Sequence, residues 1–291
     1  MLKILLFGSG GFIGTNFRQY FQNNKQYKLI TPSAEKNDVL KALDIKKIIQ
    51  KISPHFIINT AYYGGVSSSI KFSRNNLNKN LDIIQSILEG SKGIKSIKKI
   101  IFFGSSLEYA DSTKPIAETH PVNPKNTYAT IKSITSLLSL VLAKELHVPL
   151  LLIRPFNLFG PYDRKSVIYY LIKSILDKKP IEITKGEQTR DYLYIDDFVK
   201  IISDIIKNYQ KIENYEIYNV GSGKATKLKT IFSLIFQLTD FSGKVKYCDN
   251  CKNEYWYQVA NIEKIKKLIQ IKSSVSLMNG LKKTTDWIKS T

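Results

Sequence analysis

The sequence predicts an α/β chain built as a doubly wound parallel sheet with a smaller C-terminal lobe. Three observations carry that reading: short apolar runs alternate with longer stretches of helical spacing, the first run ends in a glycine cluster that opens a helix, and the alternation loosens after Gly160. Strand and helix in regular succession put parallel strands side by side, with helices over both faces.

The first strand is Lys3 to Phe7. Its apolar run superficially resembles a signal peptide, but it is short and stops at Gly8 with no small-residue cleavage site. Further strands are expected at Lys28 to Thr31, Phe56 to Thr60, Lys99 to Gly104, Leu150 to Arg154 and Glu216 to Val220, each bounded by turn residues or charge. Helical spacing marks Phe12 to Gln22, Asn76 to Leu88 and Tyr128 to Leu146, and Pro149 and Pro155 punctuate the chain. Residues 1–160 are therefore expected to form a dinucleotide-binding domain of Rossmann type. Residues 161–291 should form mainly a substrate-binding lobe, with elements returning to the sheet near 190–220.

Composition excludes several classes. No apolar run approaches the ~20 residues of a membrane span, and no repeat or low-complexity segment occurs. The net charge of +20 comes from lysines spread along the chain, with arginine scarce, which fits a solvated surface better than a nucleic-acid footprint. Such charge also attracts anionic substrates. Cys248 and Cys251 form one isolated C-x-x-C without the further ligands of a zinc site, and read as reduced surface thiols. With few cysteines and no export signal read at Met1 to Phe7, a cytoplasmic location is the expectation.

The turn Gly8-Ser9-Gly10-Gly11-Phe12-Ile13-Gly14 joins strand one to a helix. A backbone that approaches a pyrophosphate excludes side chains at the contact points, and the free N–H groups of the helix start favour negative charge. Gly8, Gly11, Phe12, Ile13 and Gly14 are thus candidate cofactor residues. No carboxylate stands directly at the end of the second strand to hold ribose hydroxyls, whereas Ser33 and Lys36 suit a ribose phosphate, so NADP(H) is favoured over NAD(H).

Tyr128 and Lys132 lie one helical turn apart on one face. A tyrosine with a pKa near 10 needs nearby positive charge to exchange protons at neutral pH. Tyr169 and Lys173 share the spacing, but only Tyr128 follows a strand ending in Gly104-Ser105-Ser106, whose hydroxyls emerge at the carboxyl edge of the sheet, where ligands bind in such folds.

GSGGFIG, FFGSSLEYA, TYATIK, RPFNLFGPY, TRDYLYIDD and YNVGSG occur in that order over roughly residues 3–223. The set resembles the extended short-chain dehydrogenase/reductase superfamily, specifically its nucleotide-sugar epimerases, dehydratases and reductases. The resemblance implies a catalytic triad of Ser105, Tyr128 and Lys132, with the last two also against the cofactor. It adds Ala61 to the cofactor set and makes Asn157 and Arg190 contacts of the substrate diphosphate. Ser105 is chosen over Ser106 because it stands five positions before Ala110, at the glycine position of the family pattern. An ion pair with Asp191 is the plainer reading of Arg190. Asp196 and Asp197 resemble an acidic pair that caps a helix. A nucleotide-sugar substrate and a homodimer built on the helices 76–88 and 128–146 are further expectations, with no nucleic-acid or membrane partner.

The same resemblance narrows the reaction. Dehydratases of the family carry an acid two positions after the catalytic serine, where this chain has Leu107; in an extended segment Glu108 points the other way. The Gly104 to Ser106 and Ala61 to Val66 segments also resemble GDP-fucose synthase, but its cysteine and histidine correspond to Leu107 and Tyr162. Reduction of a 4-keto-6-deoxy sugar nucleotide stands first, and 4-epimerisation with tightly held NAD is the alternative. A dehydratase or a non-catalytic nucleotide-binding protein comes behind both. Tyr255-Trp256-Tyr257 reads either as core packing or as a platform for a base.

Overall fold

The computed structural model describes the chain except for residues 23, 33–41, 66–70, 249–254 and 271–273. The elements of the first half are β1 (Leu2–Phe7), α1 (Phe12–Gln22), β2 (Tyr27–Ile30), α2 (Ala42–Ile52), β3 (Phe56–Asn59), α3 (Arg74–Ser91), β4 (Lys99–Phe103), α4 (Thr127–Glu145) and β5 (Leu150–Pro155). They are followed by β6 (Leu158–Phe159), α5 (Val167–Leu176), β7 (Ile181–Ile183), β8 (Thr189–Arg190), β9 (Leu193–Tyr194), α6 (Ile195–Lys207) and β10 (Glu216–Val220). The chain ends with β11 (Thr226–Lys227), α7 (Leu228–Leu238), β12 (Val245–Tyr247), β13 (Tyr257–Gln258), α8 (Glu263–Lys266) and α9 (Leu277–Lys289).

The six strands expected from sequence form one parallel sheet in the order β10-β5-β4-β3-β1-β2. Their ends agree to within a residue. Strand alternation assigns the two faces: Ile4, Leu6, Ile58 and Phe103 point to one core with Phe17 of α1 and Phe198 of α6. Leu5, Phe7, Ile57 and Phe102 point to the other, with Ile49 of α2 and Ile87 of α3. Both faces being buried explains why these strands read as continuous apolar runs. Helix α3 starts earlier than its apolar spacing suggests because the Ser73 side chain accepts from the Asn76 amide and caps it.

From β1 the chain steps outward to β2 and then crosses back to β3. That reversal opens a crevice beyond the carboxyl ends of β1 and β3, the place where open α/β sheets bind ligands. The face bearing Phe17 and Phe198 continues without a break into Ile172, Ile181, Phe232 and Leu281 of the C-terminal elements. Short ladders (β8 with β11 and β13, β7 with β12) stand over the crevice from that side.

Candidate active site

The turn after β1 is shaped by two glycines. Gly8 takes a φ of 78°, and a Cβ there would overlap the Ala61 backbone, while a Cβ on Gly14 would run into the Gly8 carbonyl oxygen. Gly10 has open space where a side chain would stand, and the first turn of α1 carries no carboxylate. Gly10, Gly11, Phe12 and Ile13 line a cleft of about 940 Å³, and Ala61, whose backbone packs against Gly8, lines it too. An exposed glycine backbone leading into unpaired helix-start N–H groups fits a dinucleotide pyrophosphate. Ser33 and Lys36, the residues behind the NADP(H) expectation, lie outside the described residues.

Tyr128 sits in the first turn of α4, which Asn126 caps by accepting from the Ala129 amide at 2.9 Å. Lys132, one turn on, donates to the Phe103 carbonyl at the end of β4 at 2.8 Å. Ser105 follows that strand, and the three predicted groups line the crevice together. Burial, with Tyr62 alongside, drives the Tyr128 hydroxyl well above its ordinary range, and the nearby Ser105 hydroxyl partly offsets this. Burial lowers Lys132 to about 8, against the opposing charge of Glu108. The rival pair dissolves: Lys173 bonds Asp177 at 2.9 Å on the surface.

Tyr62, within the Ala61 to Val66 segment, is a site residue that the sequence reading did not single out. Its ring meets Tyr128 edge-on, centroids 5.3 Å apart, and Lys132 Nζ lies 4.8 Å from its centroid. Its position three residues beyond Asn59, the end of β3, was the available signal.

The segment after Ser105 is a 3-10 turn, Ser106–Glu108, and not the extended strand assumed above. A capping box closes it, and this tight turn sends Glu108 into the core. There Glu108 accepts from the Ser105 amide at 2.7 Å and Ser136 at 2.9 Å, and pairs with Arg154. Leu107 lines the cleft in its stead. Glu108 is thus turned away from the cleft, through a tight turn and not through strand alternation.

Arg190 and Asn157 line the same cleft from the other side. Asp191 does not pair with Arg190: its buried carboxylate accepts from the Ser222 amide and hydroxyl, the Gly223 amide and the Ala260 amide. Asn157 donates to the Asp191 carbonyl at 3.3 Å, tying β8 to the strand end that follows β5. Arg164, Lys165 and Lys132 add positive charge to the walls, suited to a diphosphate. Cys248 also borders the cleft, and Cys251 lies outside the described residues. Among the described residues, no cluster of potential metal ligands occurs.

One expectation needs correction in part. Asp196 and Asp197 do stand in the first turn of α6, as a helix-starting pair, but they do not cap it: Tyr194 is its N-cap, and Asp197 instead holds the Ser274 and Val275 amides and the Ser274 hydroxyl. Of the aromatic triplet, Tyr255 is buried, in line with the core-packing alternative, Trp256 is largely exposed, and none of the three borders the cleft. No described helix is long and apolar enough to cross a membrane.

Residues 4–221 match the model of the NAD dependent epimerase/dehydratase family. The chain belongs to that family. Within it, a UDP-glucuronate 4-epimerase of Thermodesulfobacterium geofontis is 29% identical over 256 residues, covering 87% of this chain and 78% of that one. A GDP-L-colitose synthase of Yersinia pseudotuberculosis is 28% identical over 265 residues, covering 84% and 85%. The crystal structure of UDP-glucuronic acid 4-epimerase from Bacillus cereus with UDP-glucuronic acid and NAD superposes with a TM-score of 0.89 at 26% identity, covering 99% of each chain. Membership in the NAD dependent epimerase/dehydratase family agrees with the superfamily resemblance read from the motifs.

Proposed function

We propose that this chain interconverts the C4 epimers of a nucleotide-linked sugar while retaining NAD. The observation that carries this is the Ser105, Tyr128 and Lys132 cluster, whose neighbouring carboxylate Glu108 is withdrawn into an ion pair. Such a cluster exchanges a proton with the oxygen on one sugar carbon and has no second group beside Ser105 for eliminating water.

Gly10, Gly11 and the start of α1 would hold the dinucleotide, whose chemistry there would be reversible hydride exchange at C4. Tyr128 removes the proton from the C4 hydroxyl and gives it back. Ser105 donates a hydrogen bond to that oxygen as charge develops, and the Lys132 ammonium favours the phenolate. Arg190, with the second amide hydrogen of Asn157, grips the diphosphate. Inversion requires the sugar to present its other face while the diphosphate stays held, and the roomy cleft favours this.

Reduction of a 4-keto sugar nucleotide by NADPH is the second reading, favoured by the Gly104 to Tyr109 segment and by likeness to GDP-L-colitose synthase. From sequence alone it stood first. Full-length likeness to the NAD-bound 4-epimerase reverses the order and favours NAD. Residues 161–291 act mainly as the substrate lobe. A homodimer through α3 and α4 is supported by Ile134, Leu137 and Val141, which form an exposed apolar stripe on α4.

The purified protein separates the two readings. Bound NAD released on denaturation, with epimer formation needing no added cofactor, meets the first; one NADPH oxidised per 4-keto sugar reduced meets the second.

A further inference from the structure

The Tyr255 hydroxyl makes two hydrogen bonds to segments far away in sequence. It accepts from the Lys125 amide at 2.8 Å and donates to the Leu107 carbonyl at 2.7 Å. Leu107 is two residues past Ser105, and Lys125 immediately precedes the α4 N-cap, three residues before Tyr128. One phenol thus joins the backbone bearing the serine to the backbone bearing the tyrosine. The ring is 3% exposed, so both bonds are shielded from competing water.

Besides the Lys132 bond to the Phe103 carbonyl, two further ties run between the same regions. The Asn123 amide donates to the Glu108 carbonyl at 3.0 Å, and Ser136 bonds the Glu108 side chain at 2.9 Å. Both act at Glu108, which points into the core, whereas Leu107 borders the cleft. The fold therefore has other anchors here, but the cleft-side residue of the turn is held by Tyr255.

The strut is itself firmly based. The Thr189 amide donates to the Trp256 carbonyl at 2.9 Å and the Asp191 amide to the Gln258 carbonyl at 2.8 Å, so the residues after Tyr255 form a ladder with the strand that carries Arg190.

We propose that Tyr255 is a positioning residue for proton transfer: its hydroxyl sets the distance between Ser105 and Tyr128 by joining the backbones that carry them. This rests on the reading of Ser105 and Tyr128 as the catalytic pair. Tyr255 touches neither reacting atoms nor cofactor, and it acts through Leu107 and Lys125.

Tyr255→Phe tests it, because the ring stays and both hydrogen bonds go. Two quantities are measured on the full chain: kcat and KM for the sugar nucleotide turned over by the wild type, and amide hydrogen exchange without substrate. Displacement of a catalytic group by a fraction of an ångström to one ångström predicts a kcat lower by about tenfold or more. KM stays within about twofold, since diphosphate binding at Arg190 is untouched. Exchange quickens both in the peptide spanning 103–109 and in that spanning 123–129. An unchanged kcat per folded molecule, even with a lower melting temperature, leaves Tyr255 merely structural and overturns the proposal. If the wild type itself turns over no nucleotide sugar, the functional reading fails separately. The exchange experiment then decides alone, and unaltered exchange at 103–109 rejects the strut.

Discussion

The Glu108 carboxylate meets the Arg154 guanidinium through Oε2, 2.7 Å from Nη2 and 2.9 Å from Nε, with both side chains shut off from water. Arg154 also lies 4.4 Å from the centroid of the Tyr109 ring. The pair locks the turn that presents Ser105. Removing one partner strands a buried charge, so Arg154→Met is expected to cost about 3–5 kcal/mol in urea unfolding. Glu108→Gln combined with Arg154→Met should cost less than Arg154→Met alone. Equal losses for the single and double variants would show that the charge is not what the pair neutralises.

Activity should fall on the alkaline side through Lys132. Burial in the open cleft lowers its ammonium to about 8, so below that pH it is charged and favours the Tyr128 phenolate. As pH rises through about 8 the charge is lost, Tyr128 becomes harder to ionise, and kcat/KM declines; the two groups titrate as a pair. Lys132→Arg keeps its charge throughout and should move this limb to higher pH while lowering the plateau. A profile of kcat/KM against pH in both proteins checks it, and an unmoved limb would remove Lys132 from the titration.

Arg190→Ala should raise KM for the sugar nucleotide by roughly 10- to 100-fold, the loss of a charge-assisted hydrogen bond. The change in kcat should be far smaller. Steady-state kinetics at two salt concentrations reads both, and the wild-type KM should be the more salt-sensitive.

Gly14→Ala should abolish retention of the dinucleotide, because the added methyl overlaps the Gly8 carbonyl oxygen and displaces the turn that Gly10 and Gly11 present. Cofactor content of the purified variant measures this directly. Gly10→Ala has space around its new methyl, so its effect should fall on cofactor affinity and leave the melting temperature of cofactor-free protein unchanged.

The sheet was readable from sequence because strands buried on both faces leave continuous apolar runs, as at Ile100 to Phe103 and Leu150 to Ile153. The turn at Gly8 to Gly14 and the spacing of Tyr128 and Lys132 were readable because both are local. What depends on distant partners was not. The 3-10 turn at Ser106 to Glu108 exists because Arg154, 46 residues on, receives Glu108. Asp197 looked like a cap until Ser274 and Val275 were seen to occupy it. The role of Tyr255 lies in contacts 130 and 148 residues away, which no periodicity reports.

The central claim is that Tyr128 works at a single sugar carbon with a retained cofactor. The most direct measurement follows UDP- and GDP-sugars deuterated at C4 by proton NMR with the purified protein and no added nicotinamide. The account predicts that the C4 epimer appears with its deuterium still on C4, and that Tyr128→Phe slows this by about 10²- to 10⁴-fold. Absence of any epimer, together with Tyr128-dependent oxidation of NADPH by a 4-keto sugar nucleotide, would contradict it.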